Sequence, residues 1–242
     1  LMVFHAFGTD QFQPIVSSPE KVTRVQPFPD KGYTLFEFSE NLQSVTLKFK
    51  KETPSQNGFT LYGMNFDSND AEIIYHTIGV NGALIESYLT CDYFVPHLAA
   101  LNPDLVIVSL GTNDSYTYSF DSTAFSKKVD NLIKLITDAA PSSALLFTTP
   151  GDHRMHKGKI NPTTEKVAEI IKQKARDYQL SYWDFYTIMG GKGSVNAWHK
   201  KAMASYDYLH LTQKGYEYQA ELLFNAFLKS YDEFLTNEVN SH

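Results

Sequence analysis

The stretch "DYLHLTQKGYEYQ", residues 207–219, holds two side chains whose types and spacing can do chemistry. Asp207 precedes His210 by three residues, a turn-like spacing that puts both side chains on one side. The carboxylate can then hold one ring nitrogen and fix the tautomer, which leaves the other nitrogen as a general base. A base of this kind activates a hydroxyl nucleophile and needs donors for the oxyanion that forms. Two other stretches can supply them, "GVNGA" at 79–83 and "GTND" at 111–114. A glycine lets backbone N–H approach a ligand with no side chain in the way. The amide of Asn113, at a strand end, can donate to a developing negative charge. Together these are the parts of an acyl-transfer site that lacks only its nucleophile. Singly, each has a plainer reading: a turn glycine, a helix-capping Asn, a surface Asp-x-x-His pair. Their order and their placement at strand or loop ends favour the chemical one.

The elements that must position these residues change character near residue 70. Before it, "YTLFEF", "SVTLKFK" and "GFTLYGMNF" are short β-branched and aromatic runs separated by turn chemistry, which predicts antiparallel strands of a β-sandwich over 1–68. After it, strand and helix patterns alternate. "EIIYHTI" at 72–78 reads as a buried strand. A helix over 84–100 follows, with Leu84, Tyr88, Cys91, Val95 and Leu98 on one face. "DLVIVSL" reads as a strand inside a parallel sheet. Phe125, Val129, Leu132 and Ile136 mark the next helix, and "SALLFTTP" the next strand. Asn161 and Pro162 read as the cap and first position of a helix whose stripe is Val167, Ile170, Ile171 and Tyr178. "LSYWDF" is a short strand. A last helix over 212–231 should bury Tyr216, Ala220, Leu223, Phe227 and Tyr231, with a frayed tail behind it. The expected class is therefore α/β, with a parallel sheet over 69–235. In such sheets ligands bind at the carboxyl ends of the strands, where the candidate residues fall.

Bulk properties narrow the partners. The chain has 242 residues, 43 % of them hydrophobic, enough for a substantial core. A net charge of −6 argues against nucleic acid or a strongly anionic membrane as partner. No apolar run reaches the roughly 18 residues of a membrane span. "LMVFHAFGTD" lacks the basic start and long apolar stretch of a signal peptide. Cys91 is the single cysteine, so no intramolecular disulfide can form.

The chain resembles the SGNH (GDSL-type) hydrolases, named for Ser, Gly, Asn and His in separate sequence blocks. Gly82 matches the oxyanion glycine of the second block, Asn113 the asparagine of the third, and Asp207 with His210 the D-x-x-H of the fifth. The stretch from "SYWDFYTIMGGKGS" through "YDYLHLTQKGYEYQAELL" is similar to the branch holding bacterial peptidoglycan O-acetylesterases. The resemblance covers about residues 60–235 and implies an SGNH/flavodoxin-like three-layer sandwich. It also implies a carbohydrate-binding-like β-sandwich inserted between the first and second blocks, and the strand-rich 1–68 sits where such an insert would end. The implied activity is removal of acetyl or similar acyl groups from a carbohydrate such as peptidoglycan, at the cell envelope or in the periplasm, with no metal or organic cofactor. A non-catalytic carbohydrate-binding relative, or a lipase or thioesterase on the same fold, stays open.

One block is missing. The family's serine follows a central strand in Gly-Asp-Ser, and this chain has no such string. "FDSND" offers Ser68, but only 14 residues lead from it to Gly82, too few for the intervening helix and strand. "FGTD" offers Thr9 in a distant look-alike. The expectation is a serine upstream of Leu1, with the sheet left exposing unpaired strand edges. Other motifs have plainer readings. His153 and His156 in "GDHRMHK" read as a solvated loop rather than a zinc site. "MGGKGS" fails the phosphate-loop spacing and reads as a loop beside the site. Gly-x-Ser-x-Gly is absent. Trp183 and Trp198 read as packing residues, and Asp114 and Asp184 as caps or loop acceptors.

Overall fold

The computed structural model describes residues 1–68, 73–155 and 158–240. In chain order the strands are β1 (Met2–His5), β2 (Gln13–Val16), β3 (Val22–Phe28), β4 (Tyr33–Phe38), β5 (Leu47–Lys50) and β6 (Leu61–Asn65). Helices α1 (Ile85–Leu89) and α2 (Phe94–Leu101) lead to β7 (Leu105–Val108), α3 (Thr112–Ser115), α4 (Ser122–Ala139) and β8 (Ala144–Thr148). After β9 (Arg154–Met155) and β10 (Lys159–Ile160) come α5 (Thr164–Asp177), β11 (Ser181–Trp183), α6 (Phe185–Met189), α7 (Val195–Lys200) and α8 (Gln213–Asn240). No described helix is long and apolar enough to cross a membrane.

The chain falls into two units. One comprises Leu1–Val80, Cys91–Pro103 and Ile136–Pro141; the other Asn81–Thr90, Asp104–Leu135 and Ser142–His242. In the first, β3-β4-β1-β6 form an antiparallel sheet, and β2 pairs with β5. Alternation along these strands turns Val3, Val16 and Phe36 inward onto Leu1, Val22, Phe38, Leu47 and Phe59. Both serine look-alikes belong here. Thr9 lies in the turn after β1, and Ser68 lies three residues past β6, so each follows an antiparallel strand.

In the second unit, β11-β8-β7 form a parallel sheet, as the alternating pattern predicts. Its carboxyl end is braced by a polar hub. Thr149 Oγ1 donates to Asp184 Oδ1 (3.1 Å), Tyr186 N donates to Thr149 Oγ1 (2.9 Å), and the buried Lys172 ammonium binds Asp184 Oδ2 (2.8 Å). Burial pushes the Asp184 carboxyl up, but Lys172, Thr187 and Thr149 outweigh it and hold the group below its ordinary value. Asp184 also caps α6 through Thr187 N, which bears out its reading as a cap. Trp183 and Trp198 pack with Leu146, Phe185, Met189 and Val195, and Trp198 Nε1 donates to Met189 O, so their role is packing.

Several expectations need correction. Residues 73–78 form no strand, and Ile73 and Tyr75 are 99 % and 82 % exposed; Glu72 lies outside the described residues. A strand needs a regular ladder for its N–H and C=O groups, and composition alone does not supply one. β7, expected inside the sheet, is an edge, with Leu105 and Ile107 each 39 % exposed. The helix expected over 84–100 is two helices, and Cys91 and Leu84 are exposed. Pro96 explains the break: it has no N–H for a continuing helix but is tolerated in the first turn of α2. In α8, Tyr216, Ala220, Phe227 and Tyr231 are exposed; Leu223 is turned inward as expected, but its companions are Leu222 and Ala226. The buried Gly215 sets that rotation, because a β-carbon there would overlap Met203 O. Tyr178 is likewise exposed, as the C-cap of α5, and the final helix continues to Asn240 rather than fraying.

Phe147 in β8 is 1 % exposed. Phe147→Ala should cost about 3–5 kcal/mol through lost transfer energy and the cavity left behind. Urea unfolding followed by the fluorescence of Trp183 and Trp198, both buried in the same unit, measures it.

Candidate active site

All four predicted site residues lie in the second unit. Asn113 is on α3, a single turn that starts from Gly111 at φ +110°. Glycine is needed at 111 for that angle, and also for space: a β-carbon would sit 2.9 Å from Val167 Cγ1. Asn113 is exposed and does not cap the turn. Its Nδ2 donates to Ala83 O at 3.0 Å. An amide has two N–H groups. One is spent orienting the group, and the other can face a ligand. Gly82, exposed at φ +77° with open space around its α-carbon, precedes the carbonyl that Asn113 holds.

A second tie runs between the same segments. Ile85 N approaches both carboxylate oxygens of Asp114, at 3.3 and 3.4 Å. Asp114 is therefore a loop acceptor, as expected. Burial raises its carboxyl above the ordinary value, against the hydrogen bond from Ile85 N. The loop bearing Gly82 and the turn bearing Asn113 are thus joined twice, once by a side chain from each of two adjacent residues.

Asp207 and His210 are paired as the spacing predicts. His210 Nδ1 lies 2.7 Å from Asp207 Oδ2. The other carboxylate oxygen accepts from Leu209 N (2.9 Å) and His210 N (3.0 Å). Tyr208 at φ +56° makes the tight turn that folds the two side chains together. The loop is closed by Ser205 N donating to His210 O at 2.8 Å. Partial burial pushes the Asp207 carboxyl up, but the His210 ring and the two backbone N–H groups outweigh it and hold the group below its ordinary value. The His210 side chain is 58 % exposed, so its second nitrogen is open to a reactant.

The turn bearing Asn113 and the loop bearing Asp207 and His210 are linked through residues 151–154. His153 approaches Ser115, at the end of α3, through Nε2 (3.2 Å to Oγ), and Arg154 N donates to Tyr208 O (2.9 Å). His153 is 1 % exposed and so is not in a solvated loop; His156 lies outside the described residues. Asn161 does not cap α5, which starts from Thr163. It is buried and donates from Nδ2 to Ser115 O and towards His153. Sequence reasoning missed this buried trio. The available signal was a histidine placed five residues after the end of the strand, in "TTPGDH".

Residues 59–218 match the GDSL-like Lipase/Acylhydrolase family, and the chain belongs to it. Among solved structures it is similar to one described as a peptidoglycan O-acetylesterase in action, at 20 % identity and a TM-score of 0.69. That likeness covers 94 % of this chain and spans 63 % of that structure's chain, so what is shared is the α/β fold over part of its length. A crystal structure of an acetyl xylan esterase matches at 21 % identity, TM-score 0.49, over 61 % of this chain and 78 % of its own. A lipase/acylhydrolase from Enterococcus faecalis matches at 17 % identity, TM-score 0.45, over 60 % and 70 %. No curated protein matches the sequence.

The depressed Asp207 carboxyl makes a signed prediction. A group whose folded value is lowered adds stability above its unfolded value, and that contribution is lost as pH falls through the folded value. Asp207→Asn should therefore destabilise the chain at pH values above the ordinary 3.8, and the difference from wild type should shrink as pH drops below it. Urea midpoints of both proteins across that range measure the effect; a constant difference would contradict the assignment.

Proposed function

We propose that this member of the GDSL-like lipase/acylhydrolase family is a serine esterase that removes acetyl groups from a carbohydrate, with peptidoglycan the leading polymer, outside the cytoplasm. The observation that carries the reading is the 2.7 Å contact between His210 Nδ1 and Asp207 Oδ2 beside an exposed ring. The carboxylate accepts a hydrogen bond from Nδ1–H and so fixes the tautomer, which leaves Nε2 as the base. The acetylated-carbohydrate part of the reading rests on the fold shared with the peptidoglycan O-acetylesterase structure.

In this reading a serine hydroxyl attacks the ester carbonyl while His210 Nε2 takes its proton. The Gly82 N–H and the free N–H of the Asn113 amide hold the resulting oxyanion, and Asp207 stabilises the charged ring. Collapse returns the proton to the departing sugar hydroxyl and leaves an acetyl-enzyme, which water attacks by the same route in reverse roles. We assign the serine to polypeptide beyond these 242 residues. Two features support this: the unpaired edge of β7, and the absence of Ser68 and Thr9 from the parallel sheet. A strand paired along β7 would end on the same side as α3, where a nucleophile is needed.

Intact mass after incubation with a fluorophosphonate probe tests the reading, on this chain and on a polypeptide extended upstream. One adduct on the extended form only, abolished by His210→Ala, is expected. An adduct on the short chain would place the nucleophile within these residues. No adduct on either, with acetylated glycan bound but not cleaved, would make the protein a binding member of the family. In whichever form reacts with the probe, Asn113→Ala introduced into the unlabelled protein should slow acetate release about 10²–10³-fold, the usual loss for one oxyanion donor.

A further inference from the structure

A turn of four residues has too few internal hydrogen bonds to hold its own shape. α3 is such a turn, so what grips its two ends decides where Asn113 points. The far end is Ser115, which is fully buried. Asn161 Nδ2 donates to Ser115 O at 3.0 Å and lies 2.9 Å from His153 Nε2. Asn161 Oδ1 accepts from Thr163 N at 2.8 Å, which fixes the amide with its N–H groups towards Ser115 and His153. His153 Nδ1 lies 3.0 Å from Gly151 O, an atom that can only accept, so Nδ1 carries the proton. Nε2 is then an acceptor, filled by Asn161, with the Ser115 hydroxyl at 3.2 Å. Burial also lowers the pKa of the His153 ring, in keeping with a neutral form.

The next residue reaches the other half of the site. Arg154 N donates to Tyr208 O at 2.9 Å, and the guanidinium lies 4.0 Å from the Tyr208 ring centroid. Tyr208 sits between Asp207 and His210 in the chain. Two consecutive residues therefore grip the turn of Asn113 and the loop of His210.

We propose that His153, as its Nδ1–H tautomer, is a positioning residue of this site: with Asn161 it seats Ser115 and so aims the Asn113 amide, while Arg154 registers the His210 loop against it. The proposal rests on the esterase reading, because it concerns where the Asn113 donor points. A histidine that only filled space could be replaced by an apolar side chain of similar size without touching turnover. A positioning histidine could not, because Asn161 would lose the acceptor that holds its amide.

The test uses the probe-reactive, extended protein and kcat for p-nitrophenyl acetate. His153→Leu should lower kcat about ten- to hundredfold, the scale of a misplacement of roughly an ångström, with KM changed little. His153→Gln, which offers Oε1 near the position of Nε2, should restore most of the rate. Asn113→Ala combined with His153→Leu should be no slower than Asn113→Ala alone, because His153 acts through that donor. Unchanged kcat in His153→Leu, or losses that multiply in the double variant, would overturn the proposal while leaving the esterase reading intact. Full turnover in Asn113→Ala would remove both. If His153→Leu does not fold, Asn161→Ala takes its place with the same expected loss of kcat. Nitrogen NMR of the 242-residue chain gives a reading independent of activity: protonated Nδ1 and bare Nε2 at His153 are expected, and the opposite tautomer overturns the assignment.

Discussion

Gly111 cannot carry a side chain, and much of the site follows from that. At φ +110° it turns the chain off the end of β7, and its α-carbon lies so close to Val167 and Ile171 that α5 packs directly on the backbone. The turn it starts therefore rests on a helix of the core. From that seat Asn113 reaches Ala83 O, and Asp114 reaches Ile85 N. The loop bearing Gly82 has no regular structure of its own before α1, so these two bonds are what place it. A backbone constraint at one glycine is passed in this way to the segments that carry Asn113 and Gly82.

The charges of the site are held by different means. Asp207 and Asp184 are each partly withdrawn from water, and each is kept ionised by several donors at once. Asp114 is more deeply buried, and its carboxyl is raised. At Asp114 burial outweighs the hydrogen bonds from Ile85 N and its own N–H, whereas at Asp207 two backbone N–H groups and a histidine ring outweigh a smaller burial. A carboxylate meant to stabilise an imidazolium must stay charged, and Asp207 has the donors to do so. Asp114 acts as a tie between segments, a task that a hydrogen-bond acceptor performs in either state of charge.

What was legible in the sequence is what short-range rules govern. The spacing of Asp207 and His210 fixes their contact because a three-residue turn leaves few alternatives. Phe125, Val129, Leu132 and Ile136 line one face of α4, and "SALLFTTP" forms β8, because periodicity and β-propensity act within a few residues. What failed depends on neighbours distant in sequence. "EIIYHTI" has the composition of a strand, yet residues 73–78 are not in one. The stripe of α8 follows helical spacing, yet the close approach at Gly215 turns the helix by its own constraint. His153 reads as polar and therefore solvated. Burial is tolerated because Asn161 and Gly151 O satisfy both ring nitrogens, and the tie to Ser115 and Asn161 is not visible from its local sequence. The fold class, Gly82, Asn113, Asp207 and His210 could be named early because each sits in a short block. The bonds that hold those blocks together could not.

The bonds that orient the site have a common property: none of them passes through a nucleophile. Asn113 is held by Ala83 O, Gly82 by the same segment, His210 by Asp207, and the turn and loop by residues 151–154. Electrostatic stabilisation works when donors are already aimed at the place where charge develops, so that no reorganisation is needed during the reaction. Here the aiming is done by backbone turns and side-chain hydrogen bonds belonging to one unit of the fold. In the proposed reaction, a hydroxyl reaching this site would therefore meet donors and a base whose orientations do not depend on its arrival.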